Sequence, residues 1–328
     1  MIVNAILAIS KTFIMKKIQS LFLPAVAAGI ASIALAGIAC ADTLYVSNYG
    51  SDTIAIINAG VTTTFGSSSD LNGPMGLAFD PLNGNLFVAN ATSGNIAEFT
   101  ANGTLITSTY ATGLANPKGL AFDSAGNLYV AENTPGLIEK ILPGINDLSG
   151  GAASTFASNL NGPTGIAFDS VGNLFVTNQT GESVTIITPG GIPAGNVFIT
   201  GPQLNMPHGI AFDSNGNVFV VNQGNATVEE IKAGGIGSIF ASGGMPRGDV
   251  FDSAGNLYVT DISNGTVTEY NSLGGLVTTY STNGCDPVFI TNLPGDLPVP
   301  EPSTCALLTA GAAMLFLVGR RKMARVRA

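Results

Sequence analysis

Tryptophan is missing from the 328 residues altogether, and histidine occurs once, at His208. Cysteine occurs three times, at Cys40, Cys285 and Cys305. Charge makes up only 10% of the chain. Between Asp42 and Glu301 just four basic residues, Lys118, Lys140, Lys232 and Arg247, stand against 21 acidic ones, a net charge of −17. Each shortage excludes something. Such a polyanion repels nucleic acid and anionic membrane surfaces, because both need Lys and Arg to offset phosphate charge. Without Trp, a stacking platform for sugars has to be built from seven Tyr and seventeen Phe. A single histidine offers one imidazole base and no imidazole pair.

Repetition is what the sequence has in abundance. The stretch NGPTGIAFDSVGNLFVTN (Asn161–Asn178) returns, with small edits, at Asn72–Asn90, Ala115–Asn133, Asn205–Asn222 and Gly244–Asp261. Its prolines fall at 74, 117, 163, 207 and 246, so the period runs 43, 46, 44 and 39 residues. The apolar runs are short and rich in β-branched and aromatic residues, which predicts strands. Between them, an Asp and a Gly in the D-x-x-G-N pattern predict a tight hairpin turn, with the Gly at positive φ. A third strand and an outer one complete each period, the outer strand carrying Phe65, Tyr110, Phe156, Phe198, Phe240 or Tyr280. Four strands per period of this length form the blade of a β-propeller.

The chain also predicts how the ring closes. Thr43–Asn48, Thr53–Ile57 and Thr62–Gly66 match the second, third and outer strands of a blade whose first strand is missing. Asp286–Thr291 begins another repeat and then stops. Three strands from one end and one from the other make a blade and remove the open sheet edge. The expectation is therefore an all-β, six-bladed propeller of four antiparallel strands per blade, over residues 42–296. Seven blades is the alternative, disfavoured because no seventh outer aromatic or Gly-Asn turn exists.

The two ends read differently. Met15-Lys16-Lys17, an apolar run over Leu21–Ala39, and small residues at Ala39 and Ala41 predict a signal peptide over residues 1–41, read by signal peptidase, with Met15 as an alternative start. An uncleaved anchor and a lipoprotein signal at Cys40 are alternatives. The apolar run is somewhat long for a signal, while Gly37-Ile38-Ala39 is a poor match to a lipoprotein signal. Residues 297–328 hold Val299-Pro300-Glu301-Pro302, an apolar run over Ala306–Gly319, and a basic tail beginning Arg320-Arg321. That run is short of the ~20 residues a permanent span wants, and the basic cluster holds the tail on the cytoplasmic side, so a transient membrane helix is expected. Cys40 and Cys305 go with these ends. Cys285 is then alone in the processed chain, and stability rests on the sheets rather than on an intramolecular disulfide.

The pattern P-x-G-h-A-F-D-x-x-G-N-h-h-V, with h apolar, resembles NHL-type repeats and the related SMP-30/gluconolactonase-like propellers, and LYVSNYGSDTIAIIN (44–58) resembles the YVTN class of bacterial repeats. The order of Pro-Glu-Pro motif, apolar helix and basic tail resembles a PEP-CTERM sorting signal. That resemblance implies recognition by an exosortase in the inner membrane of a Gram-negative bacterium, followed by placement at the cell surface or in its polysaccharide matrix.

In SMP-30-like enzymes a divalent cation sits at one mouth of the central channel, with Asp or Asn at the x of P-x-G among its ligands. Here x is Met75, Lys118, Thr164, His208 or Arg247, with Val288 in the sixth place. None offers a carboxylate or amide, and the cations repel Ca²⁺ and Mg²⁺, so neither a metal nor another cofactor is expected. His208 is the weak catalytic candidate. A looser resemblance to streptogramin lyases, which use propeller histidines, supports it, but no positioned acid is evident beside it. Asp80, Asp123, Asp169, Asp213 and Asp252 are read as turn caps rather than calcium ligands. The row Asn48, Asn90, Asn133, Asn178, Asn222 and Asp261 is read as satisfying inter-blade backbone groups. The functional expectation is a non-enzymatic binding or structural module of the surface or matrix, partnered by matrix polysaccharide or surface proteins. A lactonase- or lyase-like enzyme and a carbohydrate-binding lectin are the alternatives.

Overall fold

The computed structural model describes residues 42–67, 69–143, 153–191, 193–201, 203–232, 235–284 and 286–293. The residues assigned to the signal peptide, the sorting segment and all three cysteines lie outside these. Among the described residues there is no helix; every regular element is a strand, and the strands form six separate four-stranded antiparallel sheets.

The repeat explains the strands. In blade 4 the first strand is Pro163–Phe168, the second Leu174–Asn178, the third Ser183–Ile187 and the outer one Pro193–Thr200. Proline begins every first strand, where its missing N–H does no harm at an inner sheet edge. The second strands, such as Leu174–Asn178, are buried along their whole length in five blades and up to Thr260 in blade 6, which accounts for unbroken apolar runs rather than an alternating pattern. At the turn, Asp169 Oδ1 accepts the N–H groups of Val171 and Asn173 at 3.0 and 2.8 Å, and Oδ2 accepts Asn173 Nδ2 at 2.8 Å. Gly172 sits at φ 88°. Asp123, Asp213 and Asp252 repeat the arrangement, so these carboxylates are occupied as turn caps. Burial alone would raise the pKa of Asp123 and Asp213, but the hydrogen bonds led by those from Asn127 and Asn217 outweigh it and hold both carboxyls below the ordinary range.

Blade 1 is assembled from both ends of the propeller. Its order is Pro287–Asn292, Leu44–Asn48, Thr53–Asn58, Val61–Phe65, with Leu44 opposite Asn292 and Asn48 opposite Pro287. The blade count is six, and the seven-bladed alternative does not hold. The six first strands stand around a central channel, each packed on the next, with Pro246–Phe251 against Pro287–Asn292 and that strand against Pro74–Phe79 completing the ring.

Two features of the repeat join neighbouring blades. The second-strand aromatic packs edge-on against the outer aromatic of its own blade and the first-strand Phe of the next. Phe175 meets Phe198 at 5.2 Å and Phe212 at 5.0 Å; Tyr129 meets Phe156 and Phe168, and Phe219 meets Phe240 and Phe251, in the same way. Such pairs add about 0.5–1.5 kcal/mol each beyond the area they bury. Nearer the axis, the glycine of P-x-G lets two backbones touch. A Cβ on Gly165 would lie 2.2 Å from the His208 carbonyl oxygen, and one on Gly119 2.2 Å from that of Thr164. The glycine is required by this close approach rather than by its own backbone angles.

Candidate functional site

The ladder is interrupted at the same place in every blade. Between Pro163 and Ile166, and between the corresponding pairs elsewhere, the register slips, so the x residue and its glycine bulge out of regular pairing. The bulge gathers the six x residues near one end of the channel, the end at which the first strands begin.

The structure divides these residues into two groups. Met75, Thr164 and Val288 are 1, 0 and 1% exposed and serve packing. Thr164 Oγ1 lies 3.0 Å from Thr177 Oγ1 and 3.2 Å from the Pro207 carbonyl oxygen, and its one proton goes to either acceptor. Lys118, His208 and Arg247, from blades 3, 5 and 6, form the second group, in which Arg247 acts electrostatically on Lys118 and both cations act on His208. Lys118 and Arg247 are half-buried; burial first, and then the charge of Arg247, brings the Lys118 ammonium down to about 8. Burial also lowers Arg247, against the favourable charge of Asp286 and Tyr49. His208 is 2% exposed, and burial followed by the two cations pushes its imidazole well below the ordinary value, so it is neutral.

The surroundings of His208 are sparse in polar partners. Buried Nδ1 of His208 has no hydrogen-bond partner, and its nearest ring neighbour is Phe289, at a centroid distance of 5.9 Å. Among the described residues no carboxylate is hydrogen-bonded to the imidazole, the contact by which an acid–base relay orients its histidine. Nor do the described residues bring together three His, Cys, Asp or Glu side chains able to hold a metal ion. The cations are the wrong sign for such an ion.

Beyond the x residues the channel widens into a cavity of about 320 Å³. Its wall begins at Gly119, Gly165 and Gly209, the residues following Lys118, Thr164 and His208, and is otherwise apolar except for Thr291 and Asp249. Asp249 is the residue sequence reading passed over. It occupies in PRGDVF the position that Leu77, Leu120, Ile166, Ile210 and Ile290 hold on the other first strands. Both its carboxyl oxygens are buried without partners, and burial raises its proton affinity far above the usual carboxylate range, with its own backbone N–H a lesser, opposing influence. A charged residue at an apolar repeat position was the signal that could have found it.

The row of amides at the second-strand ends needs one correction. The residue opposite Pro117 is Glu132, not Asn133. Asn90, Glu132, Asn222 and Asp261 accept the backbone N–H of Asn72, Ala115, Asn205 and Met245, clamping the connector that enters each blade. Asn133, one residue further, reaches the Pro163 carbonyl of the next blade at 3.3 Å. In blades 3, 4 and 6 the side chain one residue before the strand end, or the residue after it, thus does the inter-blade work, as Thr177 and Thr260 also do.

The PEP-CTERM protein-sorting motif matches residues 298–322. No curated protein matches the chain in sequence. Among solved structures, a chain of a nidogen/laminin complex superposes with a TM-score of 0.66 at 18% identity, covering 78% of this chain and 99% of its own. A gluconolactonase from Xanthomonas campestris gives 0.56 at 18% identity, covering 75% and 88%. A catalytically inactive virginiamycin B lyase from Staphylococcus aureus, solved with quinupristin, gives 0.57 at 16%, covering 78% and 94%. At these identities the likeness is one of fold, and its members differ in what they do. The chain is a six-bladed β-propeller whose C-terminal PEP-CTERM motif marks it for export and exosortase sorting to the cell envelope or surface.

Proposed function

We propose that the processed protein, residues 42–296 with the signal peptide over 1–41 and the sorting segment over 297–328 removed, is a non-enzymatic binding module of the cell surface or extracellular matrix. Its ligand is taken at the channel end framed by Lys118, His208 and Arg247. The observation that supports this most directly is the make-up of that end: two half-buried cations around a neutral imidazole provide hydrogen-bond donors and positive charge, and no paired acid and base. Val299-Pro300-Glu301-Pro302 and Arg320-Arg321 serve the sorting step and have no part in the mature module. A lactonase- or lyase-like enzyme is the second reading, supported by the fold it shares with both kinds of protein.

Two measurements test the proposal. Metal content of the processed protein after exhaustive dialysis, with a screen against lactones, is expected to show neither stoichiometric metal nor turnover. One tightly held divalent ion per chain together with hydrolysis would replace the binding reading by the enzyme. Retention of the protein on matrix polysaccharide or on whole cells is expected, and substitution of Pro300, Glu301 and Pro302 by Ala is expected to stop its arrival at the surface.

A further inference from the structure

We propose that the channel end framed by Lys118, His208 and Arg247 is a binding site for a small oxyanion, a carboxylate or phosphate group carried by a molecule small enough to enter the channel. This rests on the reading of the protein as a binding module and adds the chemistry of what is bound.

The four basic residues of the propeller fall into two pairs. Lys140 lies 3.9 Å from Asp123 and Lys232 3.5 Å from Glu230. The other two, Lys118 and Arg247, have no ion-pair partner among the described residues, although acidic residues outnumber basic ones about fivefold. Asp286 is close enough to favour the charge of Arg247 without pairing with it. Blades 3 and 6 are opposite each other in a ring of six, so the two cations face inward from opposite sides, and His208 of blade 5 sits on the arc between them, next to the blade of Arg247. Two like charges held together at partial burial is an unfavourable arrangement unless something of opposite sign relieves it.

The unfilled hydrogen bonds point the same way. Nε of Arg247 and Nδ1 of His208 are both buried and without partners. A planar or tetrahedral oxyanion accepts from a guanidinium, an ammonium and an imidazole N–H together, and charge-assisted bonds of this kind are the strong ones. A divalent cation, by contrast, would meet two positive charges.

Size follows from charge and shape. The span from Asp42 to Glu301 carries a net charge of −17, which repels an extended polyanion before it can dock. A small acid escapes most of that repulsion, and the cavity of about 320 Å³, which begins one residue after Lys118 and two after Arg247, has room for an apolar or neutral remainder.

The test is calorimetric titration of the full chain, expressed with its export and sorting segments and purified after processing, with inorganic phosphate, sulfate and D-glucuronate in separate arms. One-site binding of at least one anion is expected, with the arms telling an inorganic from a carboxylate ligand. Lys118→Met and Arg247→Met are each expected to weaken it about tenfold or more, and Lys140→Met to leave it unchanged. Should a variant fail to fold, the wild type still decides: the bound anion is expected to slow acylation of Lys118, and not of Lys232, in peptide-level mapping. No binding in any arm, or binding that survives both methionine substitutions, overturns the proposal while leaving surface retention intact. Metal-dependent turnover would instead remove the reading beneath it.

Discussion

The hydroxyl of Thr260 donates a 2.9 Å hydrogen bond to the carbonyl oxygen of Val288 and accepts the N–H of Gly248 at 2.8 Å. Thr177 makes the same pair of bonds with His208 and Gly165, at 2.7 and 2.8 Å. Thr177 joins blades that are consecutive in the chain. Thr260 joins blade 6 to the strand that closes the ring, and Ser47 fastens that strand from its other side by accepting the Phe289 N–H at 3.0 Å.

Replacing either threonine by valine keeps the shape and strands a buried carbonyl and a buried N–H, so Thr260→Val and Thr177→Val should each lower stability by about 1–3 kcal/mol. They should differ in hydrogen exchange. Only Thr260→Val should speed exchange at Val288–Ile290, since that strand is held at a seam. Equal exchange in both variants would show that the seam is no weaker than an interior joint.

Gly165→Ala forces a methyl against the His208 carbonyl, at a contact of 2.2 Å that backbone cannot easily relieve. A loss of about 1–3 kcal/mol or more is expected in thermal or urea unfolding. Gly190→Ala is the control: a Cβ there meets nothing within 4 Å, and the change should be small. A mild Gly165→Ala would mean that adjacent first strands can separate without penalty.

Lys118 gives stability a dependence on pH. Its folded value, about 8, lies below the unfolded 10.5, so between those values the unfolded chain holds a proton that the folded chain has released. Stability therefore rises with pH across that window, and the penalty of burying the ammonium is present in full below it. Lys118→Met should flatten the rise between pH 8 and 9.5 and should stabilise the protein at pH 7 by on the order of 1–3 kcal/mol. A parallel profile for the variant would show that the ammonium is well solvated. The window stops short of the tyrosines, of which Tyr45 and Tyr280 are raised to about 12 by burial first.

Asp249 acts in the opposite sense. Its folded carboxyl keeps a proton that the unfolded one releases near 3.8, so stability falls as pH rises from about 4 through the raised folded value. Asp249→Leu puts into blade 6 the residue found at this place in blades 2 and 3, with the cavity beside it to take the added volume. It should raise the unfolding temperature at pH 7 and remove that part of the fall, by about 1–3 kcal/mol. Unfolding curves at pH 4.5 and 7 are sufficient to decide this. A destabilised variant at both would assign the carboxyl a hydrogen-bonding role.

The blade count, the closure of the ring by Thr43–Asn48 with Asp286–Thr291, the turn caps and the sorting motif were all legible in the residues alone. These depend on local chemistry that repeats: a proline that opens a strand, an Asp and a Gly that close a turn, an aromatic at a set distance along the chain, a Pro-Glu-Pro before an apolar run. The sequence also placed Lys118, His208 and Arg247 at equivalent repeat positions. What it could not supply was the relation between blades. That Met75 and Thr164 are sealed in packing while Lys118 and Arg247 confront each other across the axis depends on which residues share the channel, and those lie 40 or more positions apart. Glu132 replaced Asn133 because a one-residue shift in pairing changes which side chain faces the connector, a matter of register between strands. Asp249 was visible as a departure from the pattern, but its meaning required burial. A carboxylate is unremarkable in water and acquires its high proton affinity only when the ring closes around it.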